Sequence, residues 1–165
     1  LTLIKAFEIL LKKYPDYVLE LYGDASEDNT YYMVKEHVKN HKLDERIQCM
    51  GNSNPLENRI ADAAMFVMSS KYEGMPNALM EAMALELPVI STDCPCGGPR
   101  TLIEDGVNGL LVNVGDEEQM ATAMEKYLEN PMKANQLGQC AGKIKACASA
   151  DKIAGEWLAY AESVI

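Results

Sequence analysis

Nowhere in these 165 residues does an apolar run approach the ~20 needed to cross a bilayer, and no basic stretch followed by a cleavable apolar segment opens the chain. A membrane span and a secretory leader are therefore not expected. Positive charge is short: 15 Lys and Arg stand against 25 Asp and Glu, for a formal net charge of −10. Wide nucleic-acid or anionic-lipid surfaces need a basic footprint to displace counterions, so partners of that kind are excluded, whereas a small anion held by a helix terminus and one or two cations is not. The five cysteines, Cys49, Cys94, Cys96, Cys140 and Cys147, are an odd number at spacings that build no disulfide framework, and the expected compartment is the reducing cytoplasm. Cys94-Pro95-Cys96 is too tight for the usual zinc pair. His37 and His41 have a metal-binding spacing on a helix but no evident further ligand, so a solvated face is the better reading. No Asp-x-Asp pair is present, which removes the simplest carboxylate pair for a magnesium-bound phosphate ester; neither a metal nor a cofactor is expected. There is no repeat, linker or low-complexity tract. The length is that of one domain, and 48% hydrophobic residues supply a core.

The most informative stretch runs from Ser69 to Ala84. An apolar run from Ala63 to Met68 reads as a buried strand, Gly74 punctuates the turn, and Pro76 suits the first position of the following helix, with Met75 at its N-cap. Methionine cannot accept hydrogen bonds from the first turn, so the N–H groups of Asn77, Ala78 and Leu79 are left for a phosphate. Glu81, one turn further on, has small or apolar helical neighbours. It either snorkels at an edge or accepts hydrogen bonds from vicinal hydroxyls such as those of a ribose. Glu73, in the loop before the helix, can face the other end of a bound nucleotide sugar. Spacing alone fits an ordinary buried helix with two incidental glutamates equally well.

Ser70-x-x-Glu73-Gly74-x-Pro76-x-x-x-x-Glu81-Ala82-Met83-Ala84-x-x-x-Pro88-Val89-Ile90 resembles the signature of retaining family 4 glycosyltransferases with the GT-B fold. The resemblance extends through Asp93-Cys94-Pro95, Gly98-Pro99-Arg100 and Asp105-Gly106-x-Asn108-Gly109-Leu110-Leu111-Val112, toward the bacterial polysaccharide and lipid-linked oligosaccharide branch. Glu86-Leu87 departs from it, standing where that family usually has a glycine before Leu-Pro. The resemblance implies that residues 1–165 are the C-terminal, donor-binding domain. Its donor would be a nucleoside diphosphate sugar, a UDP-sugar above others, held without a metal. The acceptor, a glycan or polyprenyl-linked sugar, would be brought by an N-terminal domain that this chain lacks. The full-length enzyme would work in the cytoplasm, peripheral at the inner face of the membrane. The rival readings are a non-catalytic interaction module of the same fold and a sugar-nucleotide epimerase.

Short apolar strands at 17–22, 47–50, 65–69, 88–92 and 109–112 alternate with helical stripes at 3–14, 30–42, 56–61, 76–85, 100–104, 117–129, 131–147 and 151–164. That alternation predicts an α/β fold: a Rossmann-like parallel sheet with helices on both faces, ligands binding at the carboxyl ends of its strands. The loops after Tyr22, Met50, Ser69 and Thr92 are then expected on one rim. Gly23, Gly51 and Asn52 become candidates for nucleobase and phosphate contacts, although turn glycines are often purely conformational, and Lys71 is a candidate cation. By the resemblance Leu1 falls after the first strand, which would carry a Gly-Arg-Leu and a nearby Lys facing the pyrophosphate. Lacking that central strand, the strands at 17–22 and 65–69 are expected to pair directly or the chain to self-associate.

Overall fold

The computed structural model describes residues 1–23, 29–53 and 55–164. Element order is α1 (Thr2–Leu11), β1 (Leu19–Tyr22), α2 (Thr30–Asn40), β2 (Ile47–Gly51), α3 (Glu57–Ile60), β3 (Phe66–Met68), α4 (Asn77–Ala84), β4 (Val89–Thr92), α5 (Gly98–Leu102), β5 (Leu110–Val112), α6 (Glu117–Glu129), α7 (Pro131–Ala141), α8 (Ile144–Cys147) and α9 (Ala150–Ser163). All strand pairs are parallel, as the βα alternation requires.

Helices cover both faces of the β3–β5 layer, and β4 shows why its sequence is an unbroken apolar run. Val89 packs with Leu79, Ala82 and Met83 of α4 on one side, whereas Ile90 packs with Phe7 of α1 and Met120 and Met124 of α6 on the other. The Tyr127 hydroxyl of α6 donates to the Val89 carbonyl oxygen at 3.0 Å from a buried position. Lys5 with Glu117 and Lys13 with Glu129 fasten α1 along α6, at 2.8 and 2.7 Å.

The strands fall into two hydrogen-bonded groups, β1-β2 and β3-β4-β5, so the expected direct pairing of β1 with β3 does not occur. Between them lies a cleft of about 690 Å³, floored by Leu3, Phe7 and Leu10 of α1 and by Met124 and Leu128 of α6, with β1 and β3 as its walls.

Three helix boundaries move, two for local reasons and one through a distant contact. Helix α4 starts at Asn77 with Pro76, not Met75, as its N-cap: Pro76 is buried with ψ 100° and so still extended, and its carbonyl accepts from Met80 at 3.1 Å. Helix α5 starts at Gly98 because Gly97, at φ 73°, turns the chain into it. The single helix expected over 131–147 breaks after Ala141. There Gly138 and Gly142 back onto the Glu86 turn so closely that a Cβ on either would collide with it. Helix α9 has no buried residue; Trp157, Leu158 and Tyr160 are all exposed.

Candidate functional site

The loop between β3 and α4 is held from beneath. Thr92, at the end of β4, donates its hydroxyl to the Ser70 carbonyl at 2.5 Å, and the Ser70 hydroxyl donates to Glu73 Oε1 at 2.7 Å. The Glu73 amide donates to Pro95 at 3.4 Å. Glu73 is thus half-buried with one carboxylate oxygen oriented, which is what a carboxylate that must meet a ligand hydroxyl requires. Neither Ser70 nor Thr92 stood among the sequence candidates. Ser70 lies inside the quoted motif and was legible there; Thr92 carries no local signal.

Gly74 and Gly98 meet across this loop. A Cβ on Gly98 would fall far inside 3.0 Å of the Gly74 carbonyl oxygen and lie 2.7 Å from its carbon, with Pro76 Cδ at 3.0 Å. Helix α5 can dock on the loop only because residue 98 is glycine. Arg100, by contrast, is spent on Asp93: its Nε donates to Oδ1 at 2.8 Å and a terminal nitrogen pairs with Oδ2. Asn108 closes the far end of α5, accepting from the Glu104 amide at 2.8 Å and donating to Leu102 at 3.0 Å, so the Asp105-to-Gly109 motif is architectural.

No side chain caps α4 among the described residues. The N–H groups of Asn77, Ala78 and Leu79 are those that a helix leaves without an internal partner, and they carry the positive end of its dipole. Moving the cap from Met75 to Pro76 keeps these three amides as the open ones. Met75 and Asn77 are exposed, Ala78 lines the cleft and Leu79 anchors the helix in the core. Glu81 is exposed, with no hydrogen-bond partner among the described residues. Lys71 is likewise exposed and unpaired.

The cleft between the two strand groups reaches this point, for Glu73, Ser70 and Ala78 line it together with Tyr22 and Glu20 of β1 and Arg59 of α3. The ends of β1 and β3 therefore share a rim, whereas the residues expected beside them after Met50 and Thr92 do not line this cleft. Arg59 was missed; it sits on a one-turn helix with no motif around it. Glu20 accepts from the Tyr22 hydroxyl at 2.7 Å, and this hydrogen bond, with burial, holds the phenol above its ordinary pKa. Gly23 and Gly51 join at the ends of β1 and β2, the Gly23 amide donating to the Gly51 carbonyl at 3.1 Å. Both need positive φ, at 138° and 70°, and a bulge after Leu21 sets them level. Exposed Asn52 follows. None of these three is among the residues that line the cleft.

A parallel α/β fold with helices on both faces and an open helix N-terminus at its strand ends has the architecture in which such proteins seat ligands outside the carboxyl ends of their strands. The chain is a member of the glycosyl transferases group 1 family, whose model matches residues 1–143. It is 26% identical over 155 residues to an uncharacterized glycosyltransferase of Haemophilus influenzae, covering 94% of this chain and 43% of that protein. The crystal structure of the pneumococcal O-GlcNAc transferase GtfA in complex with UDP and GlcNAc superposes with a TM-score of 0.85 at 26% identity, over 99% of this chain and 32% of that one. The C-terminal domain of a group 1 glycosyl transferase, LpcC of Francisella tularensis, superposes at 0.77 with 26% identity, over 89% of this chain and 77% of that domain. The chain thus spans less than half the length of the first two. No helix among the described residues is long and apolar enough to cross a membrane.

Proposed function

We propose that this chain is the donor-binding domain of a retaining glycosyltransferase of family 4, moving a sugar from a nucleoside diphosphate sugar to a hydroxyl of a bacterial surface glycan or its lipid-linked precursor. The carrying observation is the open N-terminus of α4 between an oriented Glu73 and an unpaired Glu81. The amides of Asn77, Ala78 and Leu79 take the diphosphate, Glu81 the ribose and Glu73 the hexose. Gly74 lets the loop stay thin beside the donor, and Gly23, Gly51 and Asn52 offer backbone toward the base. Catalysis then consists of orienting the donor and stabilising the departing diphosphate. A helix terminus contributes only ~0.3–1 kcal/mol toward a neighbouring charge, so Lys71 and Arg59 matter as the cations of this rim. The acceptor is brought by a further domain, at the cytoplasmic face of the membrane. UDP is the favoured nucleotide, because the pneumococcal transferase was solved with it.

Calorimetric titration tests the ribose assignment. UDP is expected to bind this chain weakly, and both Glu81→Ala and replacement of UDP by its 2′-deoxy and 3′-deoxy analogues are expected to weaken binding further. One of the two analogues should lose nothing more on Glu81→Ala, since the interaction is already gone. Fully additive losses for both analogues would refute the contact.

A further inference from the structure

Helices α1 and α2 bring together three side chains that the nucleotide site does not use. Glu8 projects from α1, and His37 and His41, four residues apart on α2, face it. His37 Nε2 lies 3.0 Å from one carboxylate oxygen of Glu8 and His41 Nδ1 lies 2.5 Å from the other. The two rings are 4.0 Å apart between centroids, and one ligand atom from each residue falls within a span of 4.8 Å. Glu8 and His37 are mostly covered, at 23% and 17% side-chain exposure, while His41 at 49% leaves one side open to water.

We propose that Glu8, His37 and His41 form a binding site for a divalent transition-metal ion of the Zn²⁺ class, with water in the remaining position, clipping α1 to α2. Metal–nitrogen and metal–oxygen bonds of about 2.0–2.2 Å in a tetrahedral shell put ligand atoms ~3.3–3.5 Å apart. The three side chains lie close to that scale, and to admit the ion the carboxylate backs away from His37 by ~0.3–0.5 Å and from His41 by ~0.8–1.0 Å. Two imidazoles and one carboxylate are a borderline donor set, suited to Zn²⁺ and poorly matched to Ca²⁺ or Mg²⁺, which take oxygen shells. A bare carboxylate–histidine cluster would equally bring these groups together, so metal uptake is the discriminating property.

The position gives the ion a task. Helix α1 is fastened to α6 and through it to β4 and β5, Val38 of α2 and Ile47 of β2 join it only through the shared apolar core around Phe7, and among the described residues no backbone ladder joins the two strand groups. A metal tie between α1 and α2 fixes the β1-β2 pair, with Gly23 and Gly51 at its rim, relative to the α4 N-terminus.

The test is titration of the chain with Zn²⁺ alone by calorimetry and with Co²⁺ alone by absorption spectroscopy, which separates nitrogen and oxygen ligation from binding by the five free cysteines. One equivalent is expected, without thiolate bands in the Co²⁺ spectrum, together with a rise in Tm on adding Zn²⁺. Glu8→Gln, His37→Gln and His41→Gln should each lower affinity by at least ~10–100-fold, since loss of even a supporting partner does as much. Nitrogen NMR of the wild-type protein provides the check that does not depend on variant folding: Zn²⁺ should shift His37 Nε2 and His41 Nδ1 selectively. Absence of binding, purely thiolate ligation, or binding indifferent to the three substitutions and to the two ring nitrogens would overturn the proposal.

Discussion

Gly98 and Gly74 lie against each other, yet alanine should be costly at the first and nearly neutral at the second. At Gly98 the new Cβ would be driven into the Gly74 carbonyl, a backbone group that cannot rotate away, so the loop or the start of α5 must retreat by on the order of 1 Å. Overpacking of this kind costs ~1–3 kcal/mol, which for a chain of this size lowers Tm by roughly 2–12 °C. The retreat also moves Glu73 and the α4 amides relative to one another, and misplacement on the 1 Å scale costs up to ~100-fold in catalysis. UDP affinity should fall with it, by about tenfold on the same grounds. At Gly74 the added Cβ meets nothing within 4 Å and φ is not positive, so Gly74→Ala should change stability by no more than about 0.5 kcal/mol. Thermal denaturation of both variants, followed by UDP titration of Gly98→Ala, checks the argument. Equal Tm values for the two variants, or a Gly98→Ala protein that melts and binds as the wild type does, would refute it.

In the full-length enzyme, Glu81→Ala should mainly raise KM, because ribose contacts form with donor and product alike, whereas Glu73→Ala should mainly lower kcat; steady-state kinetics separates them, and equal small effects on both parameters would show the assignments wrong. Tyr127→Phe should cost ~1 kcal/mol for the lost buried hydrogen bond to Val89. Burial raises the Tyr127 phenol above its ordinary pKa, so its stabilising share is complete below the ordinary tyrosine range and is lost as pH rises through and beyond it; denaturant curves from neutral to alkaline pH should show a smaller loss in the variant than in the wild type, since Tyr22, also raised, remains in both. The edges of β1 and β3 toward the cleft invite pairing with another chain, so light scattering should show concentration-dependent association; a monodisperse monomer throughout would exclude it.

What was legible in the sequence follows from how local its cause is. All five strands were read within a few residues, because each is a short apolar run bounded by turn residues, and α6 was read at both ends because Asp116 caps its first turn and Asn130 ends it. The break between α7 and α8 was not, since it depends on Gly138 and Gly142 lying against a turn some fifty residues earlier. The same division holds at the site. Glu73, Gly74, Pro76 and Glu81 announce a loop and a helix start by themselves, whereas the lock of Gly98 on Gly74, the reach of Arg59 into the cleft and the meeting of Glu8 with two histidines exist only once distant segments are packed.

Glu86 shows how these levels combine. The sequence places a glutamate where the motif it resembles usually has glycine, and the structure gives it φ 63°, a left-handed conformation that costs a non-glycine residue roughly 1–2 kcal/mol. The turn cannot relax, because the Glu86 carbonyl is the surface against which Gly138 packs. Two terms oppose the strain: a glutamate loses less chain entropy on folding than a glycine, by about 0.5–1 kcal/mol, and its carboxylate accepts from Lys145 of α8 at 3.0 Å. That pair is exposed on both sides, so it adds only ~0–1 kcal/mol. The sum is close to balance, and the departure from the motif is tolerated because the side chain that strains the turn also reaches the helix that follows the break.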